Sequence, residues 1–179
     1  MNFDAVSSDA TPVFLVIMGV SGCGKSSLGR VCSERLGIAL LEGDEFHSAS
    51  NVSKMRSGVP LSDDDRKGWL DTLALQLKAH PEGVVLSCSA LKLRYRSQLR
   101  AAVPGLRFVF LELTQAQACE RVAGRAGHSF PVSLVASQFE TLEPPTREPG
   151  VLCVDALRPL QALGAQVQHW LQTTAAPVF

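Results

Sequence analysis

The stretch "GVSGCGKS", Gly19–Ser26, decides the fold. It fits the spacing G-x-x-x-x-G-K-[ST] and stands between an apolar run, "PVFLVIMG", and a helical pattern with Leu28, Val31, Cys32 and Leu36 on one face. Gly37 then stops that helix. A glycine-rich turn between strand and helix lets main-chain N–H groups converge on phosphate oxygens. The helix start adds a partial positive charge at the same spot. The expectation is a nucleoside triphosphate cradle made by Gly19, Val20, Ser21, Gly22, Cys23, Gly24, Lys25, Ser26 and Ser27. In such a loop the lysine, here Lys25, reaches the terminal phosphates, and the hydroxyl of Ser26 ligates Mg²⁺. Cys23 lies near Lys25 and the helix start, where a thiol pKa can fall and redox control would follow. The plainer alternative is a small residue that fits the turn.

Outward from the loop, strand-like and helix-like segments alternate. "IALLEG", "GVVLSCS", "LRFVFLEL" and "GVLCVDA" read as further strands. Leu70, Leu73, Ala74 and Leu77 make the stripe of an amphipathic helix. "LKLRYRSQLRAAV", "TQAQACERVAGRA" and "VSLVASQFETL" are helical, and a last helix carries Leu160, Leu163, Val167 and Trp170. Short apolar strands separated by helices predict an α/β fold, with a parallel sheet covered on both faces. The breaker-rich "LEPPTREPG" reads as a loop before the last strand. No repeat or linker divides the 179 residues, which are expected to form a single domain over 1–179.

Composition narrows the classes. Seventeen basic residues balance seventeen acidic ones, so no nucleic-acid or anionic-membrane surface is expected. The run "VFLVIM" is too short to span a bilayer, and the start "MNFDAVSSDA" has no secretion signal. Cys23, Cys32, Cys88, Cys119 and Cys153 form no metal-ligand spacing and read as reduced thiols. A cytoplasmic protein is expected.

A phosphate loop alone does not separate kinases from switches. A guanine-nucleotide switch needs an Asn-Lys-x-Asp motif, and neither Asn2 nor Asn51 begins one. A small kinase remains, with its acceptor site in the segment "LEGDEFHSASNVSKMRSGVPLSDDDRKGWL" after the second strand. Asp44 lies at the sheet edge where ligands of open α/β folds collect, placed to take a proton from an acceptor hydroxyl or to hold a metal-bound water. His47, Asn51, Lys54 and Arg66 follow it. Ser62 and Asp65 form a capping box, and Asp63, Asp64 and Asp65 suit a first helical turn. Arg66 does not, so it is read as facing the substrate, with the aspartates holding it.

"MGVSGCGKSS", "EGDEFHSASNVSKMRSGVPLSDDDRKGWL", "CSALKLRYRSQLR" and "GRAGHSF…SQFETLEPP" together resemble the gluconate kinases of the thermoresistant type, P-loop kinases related to shikimate and nucleoside monophosphate kinases. The resemblance runs from about residue 13 to residue 170. It implies a three-layer sandwich with a five-stranded parallel sheet of order 2-3-1-4-5. It also implies an acceptor subdomain at about 44–80, a lid at about 122–135, and a homodimer. The implied reaction passes the ATP γ-phosphoryl group to the 6-hydroxyl of D-gluconate. ATP and Mg²⁺ are the implied cofactors, with Ser26 on the ion and Glu42 or Asp44 as candidates to hold it through water.

Gluconate carries a carboxylate and several hydroxyls, so its site needs a cation together with donors and acceptors. Arg66, Lys92 and Arg96 are the cation candidates, Asp44 and His47 address hydroxyls, and Ser89 and Ala90 line the floor. Asp44 is the expected general base. Arg121 and Arg125 lie four apart on a helix that runs into the glycine-rich "GRAGHSF", and in the resembling kinases such arginines close over ATP. Trp69 reads as core, and the turn Asp155 to Pro159 is the candidate adenine contact. The chain departs from the family pattern at Glu42, Ser48, Gly68 and Ser129. The alternatives are another small-molecule P-loop kinase, shikimate-like, and a non-catalytic NTP-binding sensor.

Overall fold

The structure is a computed structural model that describes residues 11–124 and 131–177. Strands β1 (Val13–Met18), β2 (Ala39–Glu42), β3 (Gly83–Ser87), β4 (Arg107–Glu112) and β5 (Val151–Asp155) form one parallel sheet of order 2-3-1-4-5. The central strand shows why its sequence is apolar without alternation. Leu15, Val16, Ile17 and Met18 are all fully buried, because both faces of β1 are covered. Leu15 and Ile17 face a cluster with Leu28 and Cys32 of α1 (Lys25–Leu36) and Leu163 and Val167 of α7 (Leu160–Thr173). Val16 and Met18 face the opposite cluster, with Leu70, Leu73 and Leu77 of α3 (Asp63–Lys78) and Tyr95 and Leu99 of α4 (Leu93–Ala102). The result is three layers. Among the described residues, no helix is long and apolar enough to cross a membrane.

The expected strand and helix series is all present, and two elements join it. The polar stretch after β2 holds a 3₁₀ turn, Gly43–Phe46, and a helix, α2 (Ala49–Arg56). Ser48 caps α2 by accepting the Asn51 N–H at 3.2 Å. Eight residues with only Val52 and Met55 as larger apolar groups give little periodic signal, which is why this helix is hidden in the sequence. The stripe of α7 is also rotated from the expected one. Leu163, Gly164, Val167 and Leu171 are buried, while Leu160 is exposed.

Helices α5 (Gln115–Ala123) and α6 (Ser133–Thr141) flank the region of the expected lid. The loop after α6 is pinned to α4. Glu143 N–H donates to the Leu91 carbonyl at 2.9 Å, and the Glu143 carboxylate accepts the Leu93 N–H at 2.6 Å. Further along, Glu148 accepts from Arg96 Nε at 3.0 Å and from Arg100 Nη1 at 2.9 Å.

Candidate active site

The phosphate loop leaves β1 and enters α1 at Lys25, as the motif requires. Lys25 Nζ donates to the Val20 carbonyl at 3.1 Å, folded over the loop it belongs to. The Ser26 hydroxyl donates to Glu42 Oε2 at 2.9 Å. Glu42 ends β2 opposite Ser87 of β3, so the sheet edge brings this carboxylate to the loop. Ser26 and Glu42 offer a small, hard oxygen set. Mg²⁺ suits one, since it keeps most of its ligands as water and phosphate. The extra methylene of Glu42 therefore does not remove the carboxylate from Ser26.

Cys23 is buried, and burial pushes its thiol up despite the charges of Lys25 and Arg121. The expected lowering does not occur, because solvent exclusion outweighs the nearby cations. Cys23 fits as a small residue: a Cβ built on Gly19 would lie 2.8 Å from its Sγ. All five cysteines are free.

Across from the loop, three contacts place the acceptor residues. Gly43 is pressed against β3, where an added Cβ would meet the Ser87 carbonyl at 2.6 Å. The Trp69 indole N–H donates to the Gly43 carbonyl at 2.7 Å. His47 stacks on Trp69 with centroids 4.3 Å apart. Asp44 and His47 thus sit on a turn held at both ends, with Oδ1 and Nε2 4.0 Å apart. The Asp44 side chain is 81% exposed and that of His47 only 5%. Burial pushes the His47 imidazole below its ordinary value, with Asp44 opposing and Arg66 assisting. The ring is neutral near pH 7. Trp69, expected only as core, is the support of this turn; the signal was its indole N–H, which needs a partner when buried.

Ser21, Lys25, Asp44, His47, Arg66 and Ser89 share one cavity of 290 Å³. Arg56, Trp69, Leu134 and Gln138 also line it. Arg66 Nη1 donates to the Leu61 carbonyl at 2.5 Å and faces the cavity beside that anchor. The aspartates do not hold it. Asp65 closes the capping box with Ser62 and pairs with Lys54 at 2.6 Å. Asp63 pairs with Lys92 at 3.0 Å, with Arg94 and with the Tyr95 hydroxyl.

Two expected substrate cations are therefore committed elsewhere. Lys92 does not line the cavity, being spent on Asp63 across the α3–α4 contact. Arg96 is fully buried: its Nε is on Glu148, Nη1 on the Ala90 carbonyl at 2.8 Å and Nη2 on the Glu143 carbonyl at 3.0 Å. It acts on the site indirectly. Ala90 has a φ of 43°, a left-handed conformation costly for alanine, and Arg96 holds its carbonyl. That fixes the turn carrying Ser89.

A second cavity of 360 Å³ lies on the other side of the loop, between Gly22, Cys23, Ser27, Arg121, Ala156 and Arg158. Arg121 Nη2 donates to the Ala156 carbonyl at 3.1 Å and Nη1 to the Cys23 carbonyl at 3.4 Å. Arg121 thus joins the loop to the turn after β5 and lines this second cavity, while Asp44 lines the first. Arg125, His128 and Ser129 lie outside the described residues.

A family model described as an AAA domain matches residues 14–145. The gluconokinase of Gluconobacter oxydans is 44% identical over 147 residues, 80% of this chain and 82% of that one. The chain belongs to the gluconokinase family. The thermoresistant gluconokinase of Escherichia coli is 42% identical over 84% of this chain and 88% of its own. Among solved structures, a gluconokinase from Sinorhizobium meliloti superposes with a TM-score of 0.79 at 42% identity. It covers 92% of this chain and 99% of its own. Family membership favours a kinase over a non-catalytic sensor, and a gluconokinase cavity over a shikimate-type one.

Proposed function

We propose that this chain transfers the γ-phosphoryl group of ATP to the 6-hydroxyl of D-gluconate, yielding 6-phospho-D-gluconate and ADP. One observation carries the proposal: Lys25 of the phosphate loop, the exposed Asp44 carboxylate and the Arg66 guanidinium line a single cavity. At 290 Å³ it sits at the small end of ligand pockets, about 300–1,000 Å³, which suits a short polyol rather than a nucleotide.

In this reading the loop amides and Lys25 hold the phosphates. The substrate hydroxyl gives its proton to Asp44 as its oxygen forms the new bond to the γ-phosphorus. The bond from that phosphorus to the bridging oxygen breaks, and the charge leaves on ADP. Arg66, with Arg56 at the rim, takes the sugar-acid carboxylate at the far end. Neutral His47 and Ser89 serve hydroxyls between them. Ser26, with Glu42 behind it, would hold Mg²⁺, which supplies charge neutralisation on the phosphates. The second cavity, edged by Arg121 and the turn from Asp155 to Pro159, would take the base. Arg121 in this pose braces the nucleotide site, and Arg125 is proposed as the lid cation over the transferring group. The acceptor subdomain at about 44–80, the lid at about 122–135, a cytoplasmic setting and a homodimer are parts of the same proposal, drawn from the family.

A coupled assay tests it, offering ATP with gluconate, shikimate or nucleoside monophosphates. Turnover with gluconate alone is the expected result. Tight ATP binding with no turnover on any acceptor would instead support the sensor.

A further inference from the structure

One polar side chain in the cavity has no place in the mechanism above. Gln138 lies on α6, far along the chain from the phosphate loop, yet its Oε1 accepts the Ser21 N–H at 2.6 Å. It also lines the cavity that holds Lys25, Asp44 and Ser89. The partner fixes how the amide is turned. A main-chain N–H can only donate, so the atom facing Ser21 is the carbonyl oxygen, and the –NH₂ group with its two donors points the other way.

The helix behind it is firmly placed. Leu134 and Val135 are buried, and the Glu143 contacts to Leu91 and Leu93 pin the end of α6 beside the start of α4. Gln138 is thus presented by a fixed element, with one end on the phosphate loop. Asp44 as a carboxylate can only accept, so a hydroxyl that gives it a proton still needs a donor for its own oxygen. Lys25 is engaged by the loop and the phosphates. A neutral amide can donate there without competing for the substrate carboxylate or trapping the transferred group.

We propose that Gln138 is an acceptor-binding residue: Ser21 holds its carbonyl, and its –NH₂ group donates to a hydroxyl oxygen of the bound sugar acid beside Asp44. This rests on the gluconate reading above and adds a specificity residue to it. The same contact registers the acceptor against the loop that carries the phosphates, so a substrate seated on Gln138 is aligned with the nucleotide.

The test compares wild type with Gln138→Met, which keeps the length and apolar bulk and removes the whole amide, both its donors and the oxygen that Ser21 uses. Gluconate KM is expected to rise about tenfold, the loss of one hydrogen bond to a bound hydroxyl. The Kd for ATP measured without acceptor is expected to stay near wild type, and the melting temperature to fall by no more than the loss of the single Ser21 hydrogen bond. If Gln138 only braces the loop, ATP affinity or the melting temperature falls and gluconate KM stays put; that result overturns the proposal, as does a variant unchanged in all three. Gln138→Glu is the second variant. It keeps an oxygen for Ser21 but replaces the donor by a charge, and is expected to lose gluconate affinity at least as severely; retention of full affinity also overturns the proposal. Wild-type protein inactive on gluconate would instead remove the underlying reaction, an outcome visible before any variant is made.

Discussion

Arg66 touches the fold through the carbonyls of Leu61 and Ser62, and the Tyr95 ring lies 5.9 Å below its guanidinium. None of these contacts pairs its charge with a carboxylate, which leaves the cation for a ligand. Arg66→Ala is expected to raise gluconate KM between about tenfold and a hundredfold, the worth of a charge-assisted hydrogen bond. ATP affinity and thermal stability should change little; kinetics at saturating ATP and a melting curve check both. Arg66 was legible because a cation at a helix start is locally unfavourable and calls for a reason. Lys92, and Arg96 behind it, also read as available, and were not. Their partners, Asp63 and Glu148, lie 29 and 52 residues away, and a single sequence does not say which surfaces of two helices meet. Gln138 lies in the family-like "SQFETLEPP" but was given no role, since a glutamine on a helix is ordinary until the fold carries it to Ser21.

Among the elements, the turn after β2 is the one on which the chemistry hangs. Its sequence gave Asp44 a place near the sheet edge, but the reason it stays there is the packing of Gly43 on β3 and the indole bond from α3. Gly43→Ala would put a methyl 2.6 Å from the Ser87 carbonyl, a backbone atom that cannot step aside. The expected outcome is a loss of about 1–3 kcal/mol, with kcat falling further than stability suggests because Asp44 moves. Urea denaturation and kcat on the same preparation separate the two. Gly68 of α3 is the opposite case. A methyl added there meets nothing within 4 Å, and the residue is exposed within the helix. Gly68→Ala is expected to stabilise by about 0.5–1 kcal/mol, read as a shift in the urea midpoint at constant slope. The helices were legible where a stripe and a stop coincide, as in α1, whose Gly37 takes a φ of 67°. The short α2 has its stop, Gly58 with a φ of 73°, but lacked the stripe.

At the scale of the whole molecule, one carboxylate ties the return path of the chain to the acceptor side. Glu148 receives two buried arginines of α4, and through Arg96 its position reaches Ala90 and the Ser89 turn. Burial pushes the Glu148 carboxyl up, yet the hydrogen bonds and charges of Arg96 and Arg100 outweigh it and hold it below the usual range. Asp65 is held at about 2 by Lys54 and Ser62. Both acids bind fewer protons folded than unfolded. Their contributions are therefore complete above the unfolded carboxylate pKa, about 4, and fade as pH falls through the lower folded values. His47 has the same sign in another window. With its folded pKa depressed by burial, stability begins to decline once pH drops below about 6.5, where the unfolded imidazole gains a proton first. Urea unfolding from pH 7 to pH 3 is thus expected to show a shallow decline and then a steep one. His47→Asn should flatten the first phase, and Glu148→Gln should soften the second. Glu148→Ala goes further, leaving the fully buried Arg96 without its counter-charge. About 3 kcal/mol is expected, the low end for breaking a buried pair because the Glu148 side chain is 17% exposed. Gluconate KM should rise in the same variant as Arg96, the anchor of the Ala90 carbonyl, loses the carboxylate that holds it. Unchanged kinetics in a destabilised Glu148→Ala protein would show that the Ser89 turn stands without the Glu148 support of Arg96.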